Sequence, residues 1–168
     1  IILSRINNHG GVDLETLDKL IKWGFNRQFP YREADKVMEV TRDAFSFLDQ
    51  RNLIDATKAL LRLPGVGISR ASKVLGLFDQ ENLCIYDSRV GQALTDLTDE
   101  NGRIVLCPPG QNRPGDNISN SELWAEQYLR LIWTLEIIRD YLNECGCTLR
   151  LADVEMALFI MGKERNGA

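Results

Sequence analysis

The sequence is poor in the residues on which several protein classes depend. It has one histidine, four cysteines and five prolines among 168 residues. It also has no apolar run near the roughly 18 residues that a membrane-spanning helix needs. The longest candidate, residues 131–138, is interrupted by Thr134 and Glu136. These shortages exclude a disulfide-rich secreted scaffold, a collagen-like or low-complexity chain and a membrane-spanning helix. We therefore expect no association with a membrane.

The few cysteines and the single histidine are not spaced as metal ligands. One residue separates Cys145 from Cys147, and no cysteine pair has the two intervening residues typical of zinc sites. Cys84, Cys107 and His9 lie far from that pair in sequence. We therefore expect no bound metal and free cysteines, in a reducing intracellular setting such as the cytoplasm.

Positive charge is also scarce. The chain has 20 Lys and Arg residues against 24 Asp and Glu residues, which gives a net charge of −4 and a pI near 5.1. This balance argues against a protein that coats nucleic acid through bulk charge. Hydrophobic residues make up 44% of the chain, enough to fill a core, and this excludes intrinsic disorder. Any nucleic-acid function must therefore depend on local features.

Helical periodicity dominates the chain, and it predicts one all-α domain over residues 1–168, built as a helical bundle. The first helix is expected to be capped by Asp13 and to stop at Gly24. The last is expected to turn Val154, Leu158 and Met161 towards the core. The other predicted helices cover residues 32–48, 53–61, 69–78, a segment that begins near residue 87, and residues 121–143, with the last over 151–161.

A loop rich in proline and glycine separates the fifth predicted helix from the sixth. Residues 103–120 hold three of the five prolines, a composition typical of a loop. Residues 104–107 are apolar and are compatible with a short strand or with an extended part of this insertion. Gln111, Asn112 and Arg113 are candidate DNA contacts, and a surface insertion that binds nothing is the alternative.

The most informative segment is Leu63-Pro64-Gly65-Val66-Gly67, which lies between two predicted helices. Pro64 stops the first helix, and the two glycines permit backbone conformations and close approaches that side chains would prevent. A tight turn of this kind presents backbone N–H groups beside a helix N-terminus, where a phosphate binds without net positive charge on the protein. A helix–hairpin–helix motif is thus predicted at residues 53–78, with a plain turn between two amphipathic helices as the alternative.

Residues 63–90 read LPGVGISRASKVLGLFDQENLCIYDSRV. The hairpin, the alanine at Ala71 and the stretch Asp87-Ser88-Arg89-Val90 resemble the signature of the helix–hairpin–helix (HhH-GPD) DNA glycosylases. In that superfamily a hairpin rich in glycine and proline precedes an essential aspartate. The clear resemblance covers these residues, and the helical layout agrees loosely over most of the rest.

The resemblance implies a DNA base-excision glycosylase that cleaves the N-glycosidic bond of a damaged, modified or mismatched base, flipped out of double-stranded DNA. Asp87 matches the catalytic aspartate. Members that also cut the DNA backbone have a lysine where this chain has Ser69, 18 residues before Asp87. The resemblance therefore implies an enzyme without AP-lyase activity. The tail lacks the four cysteines of the iron–sulfur loop of several members, and no cofactor is expected. Such an enzyme would work at the nucleoid.

DNA binding and base binding are assigned to two sets of residues. The residues expected to contact DNA are those of the hairpin and of the helix that follows: Gly65, Val66, Gly67, Ser69, Arg70 and Lys73. The candidates for an aromatic pocket around the flipped base are Tyr86, Trp23 and Trp124, and core packing is the alternative for each. Lys73 lies one helical turn beyond Ser69, and we expect it to be solvated or in contact with a phosphate; the alternative is that it supplies a reactive amine.

Asp87 suits the chemistry, because breaking an N-glycosidic bond builds positive charge on the deoxyribose. A carboxylate stabilises that charge and orients the attacking water. At a helix start it is also a simple N-cap, and the two roles are compatible. Two other functions stay open: a non-catalytic DNA-binding module that retains the hairpin, and a helical protein-interaction domain, which the acidic composition favours. Residues 53–90 hold five basic and four acidic side chains, so we expect DNA affinity to be modest and local.

Overall fold

The computed structural model describes residues 10–25, 33–94 and 121–165, and these ranges contain seven helices and no strand. The all-α prediction is confirmed. The predicted insertion at residues 103–120, with its possible strand, lies outside the described residues. The helices are α1 (Leu14–Phe25), α2 (Ala34–Asp49), α3 (Leu53–Leu61), α4 (Ile68–Phe78), α5 (Ser88–Ala93), α6 (Ser121–Glu144) and α7 (Leu151–Arg165).

Side-chain caps set the starts of three of these helices. The Thr16 amide donates to Asp13 Oδ1 at 2.7 Å at the start of α1. The Asp55 amide donates to Asn52 Oδ1 at 3.1 Å at the start of α3, and Asp87 caps α5. Each cap satisfies a first-turn amide that has no partner within its own helix.

The last helix differs from its prediction at its C-terminal end. It continues to Arg165, four residues beyond the predicted end. Val154 and Leu158 are buried as expected, but Met161 is 48% exposed, so its predicted burial is wrong. The helix position that packs there is Gly162, which is buried against α5.

The core is formed by α1–α4, the long helix α6 and the buried faces of α5 and α7. Its largest fully buried side chains are Tyr128, Leu17, Leu20, Leu60, Leu63, Leu75, Leu94, Leu135 and Leu151. Each such leucine contributes about 1.5–3 kcal/mol by leaving water. The rings of Phe45 and Phe78 stack at 4.2 Å between centroids and join α2 to the end of α4. None of the described helices is long and apolar enough to cross a membrane.

Helices α5 and α7 approach each other unusually closely. A Cβ atom added to Gly162 of α7 would lie 2.0 Å from the carbonyl oxygen of Arg89 in α5. The guanidinium group of Arg89 also lies 4.8 Å from the ring centroid of Phe159 in α7, a favourable cation–π distance. These two contacts hold α7 beside the start of α5, where Asp87 is found.

Candidate active site

A turn over residues 62–67, called here the glycine turn, joins α3 to α4. The Val66 amide donates to the Leu63 carbonyl at 3.0 Å and closes the turn. Gly65 has φ +77°, in the left-handed region that a side chain makes costly. The side chain of Arg70 donates to the Gly65 carbonyl and braces the turn from α4.

Gly67 is not required by the backbone, contrary to expectation. It is the N-cap of α4 with φ −94° and ψ 178°, extended values that any residue adopts. A Cβ atom added there would meet nothing within 4 Å. The first hydrogen bonds of α4 run from the Arg70 and Ala71 amides to the Gly67 carbonyl. The amides of Ile68 and Ser69 precede them at an N-terminus without a side-chain cap. The glycine therefore leaves bare backbone at the start of a helix.

Two of the six residues predicted to bind DNA are placed differently from the prediction. The Val66 amide is already used in the turn, and the residue is 8% exposed. Lys73 is 5% exposed, so the prediction of a solvated lysine is wrong. Its burial follows from the packing of α4, in which every residue from 71 to 76 is buried. Ser69 and Arg70 are half-buried at the start of α4, and Gly65 and Gly67 are exposed.

An extended segment after α4 positions Asp87. Two contacts hold this segment against α4: a Cβ atom on Gly76 would lie 3.0 Å from the Cys84 backbone, and the Tyr86 amide donates to Ser72 Oγ at 2.8 Å. A third contact comes from α6, where the buried Tyr128 hydroxyl donates to the Cys84 carbonyl at 2.7 Å. The segment thus runs back along α4, from its C-terminal end towards the glycine turn.

Asp87 ends this segment as the N-cap of α5. Its Oδ1 accepts a hydrogen bond from the Arg89 amide at 2.9 Å, and its backbone carbonyl accepts one from the Gly91 amide at 3.1 Å. The residue is half-buried. The expected cap is therefore present, and the side chain keeps a face that solvent reaches.

A buried ionic cluster stands behind Asp87. Lys73 of α4 and Glu155 of α7 are each 5% exposed, and both interact electrostatically with Asp87 and with one another. Burial lowers the pKa of the Lys73 ammonium below its ordinary 10.5, against the attraction of the two carboxylates. Burial raises the pKa of Glu155 from its ordinary 4.5 to about 7; Asp87 adds to this rise and Lys73 opposes it.

Two of the three predicted pocket aromatics lie together. The rings of Tyr86 and Trp124 meet edge to face, with centroids 6.2 Å apart and planes at 84°. Tyr86 is 4% exposed and belongs to the core, which agrees with the packing alternative, whereas Trp124 is half-buried in the first turn of α6. The side chain of Trp23 lies outside the described part of the structure.

Glu155 was not among the predicted site residues, although the sequence contains a signal for its burial. Leu151, Val154 and Leu158 follow helical spacing, and Glu155 lies on the same stripe, four residues after Leu151. A charged residue on a buried stripe is uncommon unless it is paired. Ser72, which holds the Tyr86 amide, has no comparable signal, because serine is frequent in helices and turns alike.

Comparison with known proteins identifies no relative: no protein-family model, no curated protein and no solved structure matches the chain. Within residues 10–25, 33–94 and 121–165, no group of three or more His, Cys, Asp or Glu side chains is placed to hold a metal ion. The functional argument therefore depends on residues 63–90 and on the groups packed around them.

Proposed function

We propose that this protein is a DNA N-glycosylase of the helix–hairpin–helix type, which hydrolyses the bond between deoxyribose and a damaged, modified or mismatched base. The observation that supports this most directly is the path of the extended segment. It returns along α4 and leaves Asp87 beside Lys73, close to the glycine turn. Ser72, which binds the segment one residue before Asp87, is five residues beyond Gly67, or about 7.5 Å along the helix axis.

In the proposed reaction the Asp87 carboxylate faces the sugar of a base that has left the stack. The bond from C1′ to the base nitrogen breaks, and its electron pair leaves with the base. The carboxylate stabilises the positive charge that develops on the sugar and orients the water that adds to C1′. The proton that this water loses ends on the departed base. The hydrogen bond that Asp87 Oδ1 accepts from the Arg89 amide holds the carboxylate in place for this role.

The glycine turn would hold the DNA backbone. A phosphate oxygen accepts hydrogen bonds from amides at a helix N-terminus without needing a lysine or arginine. Gly67 leaves room for this approach, and the amides of Ile68 and Ser69 precede the first intrahelical bonds. Because these donors are neutral, a net charge of −4 is compatible with local DNA binding.

The proposal contains no strand-cleavage step. Serine stands at position 69, where the resembling enzymes that cut the DNA backbone have lysine, and it is half-buried in the first turn of α4. Lys73 is enclosed by the protein and interacts electrostatically with two carboxylates. The proposed reaction therefore releases a free base and leaves the sugar–phosphate chain intact.

A protein-interaction domain is the second candidate, and one observation favours it. Trp133, Ile137 and Tyr141 recur every four residues along α6, and each is more than half exposed. Apolar side chains in such a stripe are typical of interaction surfaces. This candidate predicts no DNA binding even at low salt. A non-catalytic DNA-binding module, in contrast, predicts salt-sensitive duplex binding without base release.

The test is release of free base from duplex oligonucleotides that each contain one damaged, modified or mismatched base. Asp87→Asn keeps a side-chain oxygen that can cap α5 but removes the negative charge. We expect it to lower the rate of release by roughly 10²- to 10³-fold. Asp79→Asn is the matched control, because Asp79 accepts hydrogen bonds from Asn82 in the same interhelical connection. Equal rates in the wild type and Asp87→Asn would refute the catalytic role of Asp87.

A further inference from the structure

We propose that Glu155 is a positioning residue for this reaction: its protonation sets the net charge of the cluster around Asp87 and thereby controls the rate of base release. This inference rests on the proposed glycosylase function. It concerns a carboxyl group that neither the glycine turn nor the Asp87 motif includes, and that reaches the site from α7, far along the chain.

Three helices that are distant in sequence bring the groups of the cluster together. Lys73 comes from the middle of α4, Asp87 from the cap of α5 and Glu155 from the second turn of α7. Lys73 and Glu155 are each 5% exposed, whereas Asp87 is half-buried. Only Asp87 therefore has a substantial face open to a substrate. Glu155 acts through its two neighbours, which makes it a positioning residue rather than a catalytic one.

The ionisable groups of the cluster do not balance in charge. One ammonium and one carboxylate would leave the buried cluster neutral, and Glu155 adds a second carboxylate. Burying a second carboxylate beside a single ammonium is costly, so the fold gains nothing from this excess. Ionisable groups with perturbed titration beside a half-open carboxylate are typical of functional sites.

The surroundings of Glu155 shift its pKa towards neutral pH. Lys73 on α4 attracts its charge and Asp87 at the start of α5 repels it. Two other groups, the Cys84 thiol and the Tyr128 hydroxyl on α6, feel the charge of Glu155, and burial raises both of their pKa values well above the ordinary range. They stay neutral near pH 7. Burial raises the pKa of Glu155 itself to about 7.

Arg70 on α4 acts on the Lys73 ammonium, and two further charged groups lie on neighbouring helices. Glu136 on α6 acts together with Glu155 on the Cys84 thiol. Arg89 on α5 turns its guanidinium group to Phe159. Neither is among the groups that shift the pKa of Glu155. Burial, Asp87 and Lys73 are therefore the factors that shift the pKa of Glu155.

The consequence is a site whose charge changes near neutral pH. When Glu155 is protonated, Lys73 and Asp87 form a neutral pair. When Glu155 is ionised, the cluster has one net negative charge, which stabilises the positive sugar of the transition state more strongly. At an effective dielectric constant of about 20, one extra charge about 10 Å away corresponds to roughly a tenfold change in rate.

The experiment measures single-turnover base release between pH 5.5 and 8.5 in the full chain. We expect the wild-type rate to rise roughly tenfold as Glu155 ionises. In Glu155→Gln the rate should not rise with pH. In Glu155→Asp the rate should still rise with pH, because this variant retains a carboxyl group. Glu136→Gln is the matched control and should follow the wild type. Circular dichroism verifies that each variant is folded.

The outcomes separate this inference from the proposed function. If the wild type releases base and Glu155→Gln has the same pH profile, the role of Glu155 is refuted while the glycosylase function stands. A Glu155→Gln variant that is slower by one factor at every pH refutes it equally, because a purely structural role predicts that result. If the wild type releases no base from any substrate, both proposals fail. In that case carbon NMR still tests whether Glu155 and Asp87 interact. If they do, the pKa measured for the Glu155 carboxyl differs between the wild type and Asp87→Asn.

Discussion

Replacing Glu155 by glutamine should change how the stability of the protein depends on pH. In the folded chain, burial and Asp87 raise the pKa of Glu155 to about 7, and in the unfolded chain it returns to its ordinary 4.5. Between these two values the folded state holds a proton that the unfolded state has lost. The free energy of unfolding therefore falls as the pH rises through this window, and the contribution of the protonated group is fully present only below pH 4.5.

The size of the effect follows from the separation of the two values. A shift of one pKa unit corresponds to about 1.4 kcal/mol, so the full effect is about 3 kcal/mol. About 2.5 kcal/mol of it falls between pH 5 and pH 8, where both limits are accessible to experiment. Glutamine does not ionise, so the variant lacks this loss. We expect the variant to gain that amount relative to the wild type over the same interval.

Urea unfolding followed by far-ultraviolet circular dichroism at pH 5, 6, 7 and 8 measures this difference. Titrating groups outside the cluster are common to both chains and cancel in the comparison. Glu136→Gln serves as the control, since Glu136 is half-buried on α6 but does not shift the pKa of Glu155. Parallel stability curves for the wild type and Glu155→Gln would show that Glu155 ionises normally in the folded state, and the reasoning about the cluster would be wrong.

Three further predictions concern the glycine turn, Lys73 and the contact between α5 and α7. Gly67→Ser should leave stability unchanged within about 0.5 kcal/mol, because serine is a good N-cap. Its hydroxyl competes with DNA phosphate for the first-turn amides, so it should weaken duplex binding roughly tenfold in a fluorescence anisotropy titration. Gly65→Ser should instead lower thermal stability by about 1–2 kcal/mol, because Gly65 has a positive φ. A larger loss of stability in Gly67→Ser than in Gly65→Ser would contradict the roles assigned to the two glycines. Borohydride should trap no covalent adduct with DNA that lacks a base; an adduct that disappears in Lys73→Ala would overturn the assignment of a glycosylase without lyase activity. Gly162→Ala should cost roughly 1–3 kcal/mol in urea unfolding, because its Cβ would lie 2.0 Å from the Arg89 carbonyl oxygen; wild-type stability would mean that α7 is not held against α5 as described.

The helices were predictable from the sequence where their ends are fixed by local chemistry. The predicted helix over residues 53–61 matches α3 at both ends, because Asn52 caps it and the glycine turn follows closely. Asp13 and Asp87 act through the same short-range capping bonds. Met161 was misplaced because α7 meets its neighbour through Gly162, a contact that depends on the approach of another helix.

The cluster behind Asp87 was not predictable in the same way. The environment of Lys73 is set by segments that fold around α4, so its position within that helix does not reveal its burial. Glu155 reaches Asp87 only because α7 packs on α5, an arrangement that no local pattern encodes. The sequence also cannot tell a glycine required for a positive φ, such as Gly65, from one that leaves space, such as Gly67.

The contacts between α4 and the extended segment fix the position of Asp87 along the helix. From Gly76 to Ser72 the helix advances four residues, or about 6 Å. Their partners, Cys84 and Tyr86, are two residues apart, or about 6.6 Å of extended chain. The two rises nearly match, so both contacts can form at once. One extra residue between Tyr86 and α5 would turn the carboxylate to the opposite side of the segment, whereas the turn at residues 79–82 can absorb a change in length. Insertions and deletions between the glycine turn and Asp87 should therefore be tolerated at residues 79–82 but not where the segment packs on α4.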